Sequence, residues 1–320
     1  MKLQGSQVLL TGGAGFIGSH VADALAAAGV GSLVVVDDLS LGQVGNLEEA
    51  RRAFPALEFH QLDLADESAV MRALAGKRFA FCFNLAVIPL PASLVEPKRT
   101  TDRNVLMTTN VCEMARAGQI RRLIQYSSSE VYGTARTVPM DESHPLEAET
   151  PYAASKVATD CIALSYHRTF GIDATILRPF NNYGPRQNDK AYAGIIPIVI
   201  NRVRDGTPIT IFGDGEQTRD FIYVGDTARA TLQLAERDDV SGEVFNIGSG
   251  RETSVNALVH LMVELMGRPD YPLEYGPPRA GDVRRHLAGV AKAERVLQYQ
   301  PQVSLREGME KTIAWYRSRA

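Results

Sequence analysis

Cysteine is scarce in this chain: Cys82, Cys112 and Cys161 are the three in 320 residues. They lie far apart, with neither the spacing of a metal site nor a disulfide framework, so no metal is expected and a reducing compartment suits the chain. Charge of one sign is lacking too. A net charge of -3 speaks against nucleic acid or an anionic membrane surface as the partner. No apolar run is long enough to cross a bilayer. The N-terminus lacks the charged region, apolar core and cleavage site of a secretory signal, so a cytoplasmic protein is expected. There is no internal repeat and no low-complexity segment. The hydrophobic share of 45% is ordinary for a globular protein, and the length allows one large domain or two smaller ones.

What is present begins at Val8. An apolar run leads into Thr11-Gly12-Gly13-Ala14-Gly15-Phe16-Ile17-Gly18, and an alanine-rich segment follows. This reads as strand, tight turn and helix. Gly12 permits the turn, Gly15 lets the backbone approach a pyrophosphate, and Gly18 lets the helix pack close to the strand. A phosphate would sit on the free N–H groups at the helix start. A second apolar run, Leu33 to Val36, ends at Asp37-Asp38. A carboxylate there suits the adenosine ribose hydroxyls and disfavours the extra phosphate of NADP, so NAD is the expected cofactor. The alternative is a βαβ unit in which Asp37 only caps a turn.

Strand-like and helix-like stretches then alternate. Strands are expected at Leu57–Leu64, Phe79–Leu85, Arg122–Tyr126 and Ala174–Leu177. Helices are expected at Glu67–Ala75, Thr101–Ala117 and Pro151–Phe170. The pattern predicts an α/β fold: a Rossmann-like, doubly wound parallel sheet with helices on both faces and its ligands beyond the carboxyl ends of the strands. Residues 1–178 form the expected dinucleotide-binding domain. Residues 179–320, richer in proline and glycine, form a smaller α/β lobe that closes over the crevice. That boundary is soft, because 244–250 can return a strand to the main sheet.

Tyr152 and Lys156 are four apart on an expected helix and share a face. An ammonium near a phenol favours phenolate, so a lowered tyrosine pKa is expected. Such a tyrosine can take a proton from a hydroxyl while hydride leaves the same carbon for NAD. Ser128, just past a strand end, can hydrogen-bond that oxygen. The alternative is a surface Tyr–Lys pair.

TGGAGFIGSH, Asp37, Asp63, SSSEVYG and PYAASK, in this order, resemble the extended short-chain dehydrogenase/reductase family that modifies nucleotide sugars. The resemblance continues through RPFNNYGPRQ, FGDGEQTRDFIYV, FNIGSG and PRAGDVRR, and so covers nearly the whole chain. It implies that Tyr152 and Lys156, aided by Ser128, oxidise carbon 4 of a nucleotide-diphosphate sugar, with bound NAD as oxidant and then reductant. It implies cofactor contacts from Gly12, Gly15, Phe16, Ile17, Gly18, Asp37, Asp38, Ser40, Asp63, Leu64, Leu85, Ala86 and Asn104, besides Tyr152 and Lys156. Substrate contacts are implied for Asn181, Arg219, Arg279 and Asp282. In the family a helix pair matching Thr101–Ala117 and Pro151–Phe170 forms a dimer interface, so a homodimer is expected.

The branch point is Glu130. Relatives that only epimerise carbon 4 usually carry a small neutral residue there, whereas 4,6-dehydratases and uronate decarboxylases tend to carry glutamate. Once carbon 4 is a ketone, the carbon-5 proton is acidic and a carboxylate can take it. A 4,6-dehydratase is therefore the leading expectation, a 4-epimerase the alternative, and a decarboxylase using Arg284 or Arg285 a third. A dinucleotide sensor without chemistry is the non-enzyme alternative, and retention of the Tyr–Lys pair speaks against it. Two positions depart from the family. Ser129 stands where dTDP-glucose dehydratases carry an aspartate acid, and Asn84 stands where a histidine is common.

Overall fold

A computed structural model describes residues 1–189, 193–278 and 283–319. Six strands, β1 Gln7–Thr11, β2 Ser32–Asp37, β3 Glu58–Gln61, β4 Phe79–Asn84, β5 Ile120–Tyr126 and β6 Asp173–Pro179, are joined by a seventh, Val244–Ile247, in one sheet. Every pairing in it is parallel. The order is β3, β2, β1, β4, β5, β6 and then Val244–Ile247, so the chain reverses direction across the sheet between β1 and β4. Helices cover both faces, and β1 and β2 are accordingly almost continuous apolar runs rather than alternating ones.

The register aligns the carboxyl ends of the central strands. Thr11 lies opposite Val36 on one side and Asn84 on the other. Asn84 pairs with Gln125, and Tyr126 with Leu177. These ends define the floor of the crevice.

Helix α1, Phe16–Ala27, packs on one face beside the later helix Val224–Ala235. Their shared core contains Val21, Leu25, Ala228, Leu234 and Phe245. Helix Val224–Ala235 and strand Val244–Ile247 thus belong to the larger layer although they follow residue 178. On the other face helix Pro97–Arg116 packs along helix Pro151–Phe170. Leu106 and Phe170, on this pair, are exposed. The first helix starts at Pro97, before the expected Thr101, because proline at the first helical position lacks only an N–H that would have no partner there. The second has the expected ends. Thr150 accepts a hydrogen bond from the Ala153 N–H, Pro151 begins the helix and Gly171 closes it in a left-handed conformation.

The smaller lobe has its own core, with Ile196, Val199 and Ile200 from helix Ile195–Arg204 packed on Ile211, Leu258, Met262, Met309 and Ile313. Strand Asn181–Tyr183 pairs with Phe221–Tyr223 and carries the chain from the sheet into this lobe. Among the described residues no helix is long and apolar enough to cross a membrane.

Candidate active site

The glycine turn has the geometry its spacing predicts. Gly12 has φ +67°, and a Cβ there would lie 2.7 Å from the Ala86 backbone nitrogen. A Cβ on Gly18 would lie 2.1 Å from the Gly12 carbonyl oxygen. Only hydrogen at both positions lets α1, β1 and the loop after β4 approach so closely. No side chain caps α1, and its first turn holds no acidic residue. The start of the helix is therefore open to an anion.

One cleft runs along the strand ends. Gly12, Gly15, Phe16, Ile17, Gly18, Asp37, Asp38, Ser40, Asp63, Leu64, Leu85, Ala86, Ser128, Tyr152 and Lys156 all line it. Asp37 does cap a turn, accepting the Ala14 and Leu39 N–H groups at 2.9 Å each. It also accepts the Gly15 N–H and lines the cleft, and its carboxylate keeps a lone pair for a ribose hydroxyl. Asp38 holds the Ser40 N–H at 2.9 Å. Asp63 pairs with Arg103, which lines the cleft as well.

Asn104 lies behind the cleft wall. Its Oδ1 accepts the Ile88 N–H at 2.8 Å, and its Nδ2 donates to the Ile88 carbonyl at 3.1 Å and to Ser155 at 3.0 Å. It holds the lining residue Ile88 in place and does not itself line the cleft. Asn84 is buried in a polar ladder. Thr11 donates to its Oδ1 at 2.6 Å, and its Nδ2 donates to Gln125 Oε1 at 2.7 Å. Gln125 in turn donates to the Tyr126 carbonyl at 3.1 Å. The ladder cross-links β1, β4 and β5 where they meet the site.

The four candidate catalytic side chains come from two elements. Ser128 and Glu130 sit in the short turn of helix Ser129–Tyr132 directly after β5, and Ser128 accepts the Glu130 N–H at 3.2 Å. Tyr152 and Lys156 occupy the first turns of helix Pro151–Phe170. The Ser128 side chain hydrogen-bonds the Tyr152 phenol, and the Glu130 carboxylate is near enough to act on its ionisation. The expected lowering of the Tyr152 pKa is not found. Burial pushes the phenol up to about 12; the Ser128 hydrogen bond opposes this, while the Glu130 and Asp160 carboxylates add to it. The Lys156 ammonium donates to the Tyr126 carbonyl, and burial pulls it down to about 8 with Asp160 opposing. Desolvation and two anions decide the direction, and the opposing influence is the Ser128 hydrogen bond rather than the lysine one turn away.

The expected substrate residues are placed unevenly. Asn181 does not line the cleft, whereas Asn182 does. Both lie on strand Asn181–Tyr183, where successive side chains face opposite ways. The Asn181 side chain instead meets His286 at 3.4 Å. Arg219 donates to the Thr218 carbonyl at 2.8 Å and the Val283 carbonyl at 2.6 Å. Arg284 and Arg285 bind Asp214 and Glu252 at the surface, and neither is among the residues that line the cleft. Arg279 and Asp282 lie outside the described residues.

Sequence reasoning missed a strap across α1. His20 Nε2 meets the Pro185 carbonyl at 2.9 Å, and Arg186 binds Asp23 at 2.7 Å. Arg186 has φ +66°, unusual for a residue with a side chain. Arg186 and Gln187 line the cleft together with the glycine turn. The RPFNNYGPRQ stretch carried the signal, but nothing local links it to positions 20 and 23. Because the strap ties the small lobe to the dinucleotide helix, Asp23→Asn is expected to release NAD about tenfold faster, the effect of about 1.4 kcal/mol. The exchange rate of bound for labelled NAD measures it, and an unchanged rate contradicts the strap.

The cleft fits a dinucleotide: an anion-accepting helix start, a carboxylate at the end of β2, and the buried, unpartnered Asn182 Oδ1 and Gln187 Oε1 of two lining residues. The comparisons with known proteins agree. The profile of the NAD dependent epimerase/dehydratase family matches residues 8–248. A UDP-glucose 4-epimerase of Mycolicibacterium smegmatis is 37% identical over 316 residues, which span 98% of this chain and 99% of the relative. A dTDP-glucose 4,6-dehydratase of an Actinoplanes species is 34% identical over 319 residues, 98% of each chain. The crystal structure of a dTDP-glucose 4,6-dehydratase from Streptomyces venezuelae, with NAD bound, superposes with a TM-score of 0.90 at 33% identity, covering 98% of this chain and 97% of that one. NAD is the cofactor, and the chain belongs to the NAD-dependent epimerase/dehydratase family of nucleotide-sugar enzymes.

Proposed function

We propose that the protein is a nucleotide-sugar 4,6-dehydratase, with Glu130 as the carbon-5 base. The observation that carries this reading is a carboxylate, Glu130, in the same short turn as Ser128, whose side chain hydrogen-bonds the Tyr152 phenol. Tyr152 takes the proton of that hydroxyl, and Ser128 hydrogen-bonds the same oxygen. Gly12, Gly15, Gly18 and Asp37 would hold NAD, which when bound would supply a positive charge that favours phenolate and reversible hydride chemistry between carbon 4 and carbon 6. Glu130 removes the proton from carbon 5 of the 4-ketone, and the carbon-6 hydroxyl leaves. Ser129 is buried and is no acid, so the proton held by Glu130 is the one returned to the departing hydroxyl as water. As hydride reaches carbon 6, carbon 5 takes a solvent proton and Tyr152 releases the one it took, so the product is a 4-keto-6-deoxy sugar with no net redox change.

A 4-epimerase is the second reading. It is favoured by Ser129 and by the relatives named as 4-epimerases. In that case Tyr152, Lys156 and Ser128 act alone. Incubation with UDP-, GDP-, dTDP- and CDP-hexoses in heavy water, read by mass spectrometry, separates the two. The dehydratase gives a product one water lighter that carries deuterium, and Glu130→Gln lowers its formation by about 100-fold or more. A product of unchanged mass without deuterium, formed equally well by Glu130→Gln, refutes the dehydratase.

A further inference from the structure

Lys156 and Arg178 bring two cations into the same buried region. Both are nearly inaccessible, at 4% and 3% exposed. The hydrogen bond from Lys156 goes to a neutral carbonyl, that of Tyr126. Asp160 lies one helical turn beyond Lys156 on the same face and is 1% exposed. Its Oδ2 accepts Arg178 Nε at 3.0 Å and the Ser127 hydroxyl at 2.9 Å. Its Oδ1 is buried without a hydrogen-bond partner. Arg178 continues to the Tyr132 hydroxyl at 2.9 Å, which donates to Asn246 at 2.7 Å on the Val244–Ile247 strand.

We propose that Asp160 is a positioning residue: the buried counter-ion that keeps the Lys156 ammonium charged beside Tyr152. A guanidinium does not give up its proton in a protein, whereas a buried lysine does so readily. Without Asp160 the region would hold two cations and no counter-ion between them, and Lys156 is the group that would yield. The titratable and charged groups of this region are Tyr152 and Asp160 on the helix of Lys156, Arg178 on β6 paired with Asp160, Tyr132 bonded to Arg178, and Glu130, which acts on Tyr152. Asp160 is the one whose charge opposes the burial of Lys156. The sign follows: removing Asp160 leaves burial unopposed and the lysine titrates lower, while removing Arg178 leaves Asp160 to act on Lys156 alone and the lysine titrates higher.

This rests on the reading of Lys156 as the ammonium that serves Tyr152. The test reads the lysine directly in the NAD-loaded protein without substrate, so it is independent of whether the product is dehydrated or epimerised. The Lys156 resonance of protein made with labelled lysine, assigned by its loss in Lys156→Met, is followed against pH. In Asp160→Asn the midpoint should fall by about one unit or more, a tenfold loss of proton affinity, and Asp160→Glu should restore most of it. An unmoved midpoint in folded Asp160→Asn overturns the proposal. If that variant does not fold, Arg178→Met decides: a raised midpoint supports the counter-ion, and an unchanged or lowered one overturns it.

Discussion

Gly18→Ala is expected to lose its NAD and to unfold at a markedly lower temperature. The added Cβ would lie 2.1 Å from the Gly12 carbonyl oxygen and 2.9 Å from the Gly13 Cα. Both neighbours are backbone, so no side chain can swing away. Either α1 moves off β1 or the turn changes shape, and both displace the helix start from where a pyrophosphate would sit. Overpacking of a rigid site costs about 1–3 kcal/mol, and the strain here falls on backbone, which favours the upper end. Gly45→Ala is the control. Its nearest neighbour beyond the adjoining residues would be 3.6 Å away, and the change should stay within about 0.5 kcal/mol. Denaturation midpoints and the NAD content of the purified proteins decide it. A Gly18→Ala protein with wild-type stability and a full complement of NAD would sink the argument.

Tyr152→Phe is expected to lower kcat by about 10³, some 4 kcal/mol of barrier, while fold and NAD content are kept. Only the hydroxyl is removed. The ring remains where Tyr152 starts its helix, capped by Thr150. The lost oxygen is the one that Ser128 hydrogen-bonds and that Glu130 and Asp160 influence, so no neighbour can replace it. The phenol holds its proton tightly, at a pKa of about 12. Its action as base on the carbon-4 hydroxyl therefore depends on added positive charge. Turnover of the accepted sugar by Tyr152→Phe within threefold of wild type would remove Tyr152 from the chemistry. Ser128→Ala should be milder, because it removes a hydrogen bond and leaves the acid–base group in place.

Local order determined much of this protein. Glycines three apart after an apolar run specify a turn that only backbone can fill, and Gly12 and Gly18 meet that demand. Pro151 with Thr150 before it and Gly171 after it set both ends of a helix, and the i,i+4 spacing put Tyr152 and Lys156 on one face. The alternation of elements determined a parallel sheet. These are short-range properties: dihedral preference, capping and periodicity are written in neighbouring residues.

Other features depend on burial and on contacts between distant segments, and only the tertiary structure decided them. Whether Asn181 or Asn182 faces the cleft depends on how a three-residue strand is turned. Arg284 and Arg285 bind Asp214 and Glu252, partners 70 and 33 residues away. The strap joins His20 to Pro185 across 165 residues. The direction of the Tyr152 shift reverses because desolvation is set by everything packed around the ring, not by the lysine one turn away. A chain can specify which groups share a helix face, but how much water and which charges surround them is settled only when the faces meet.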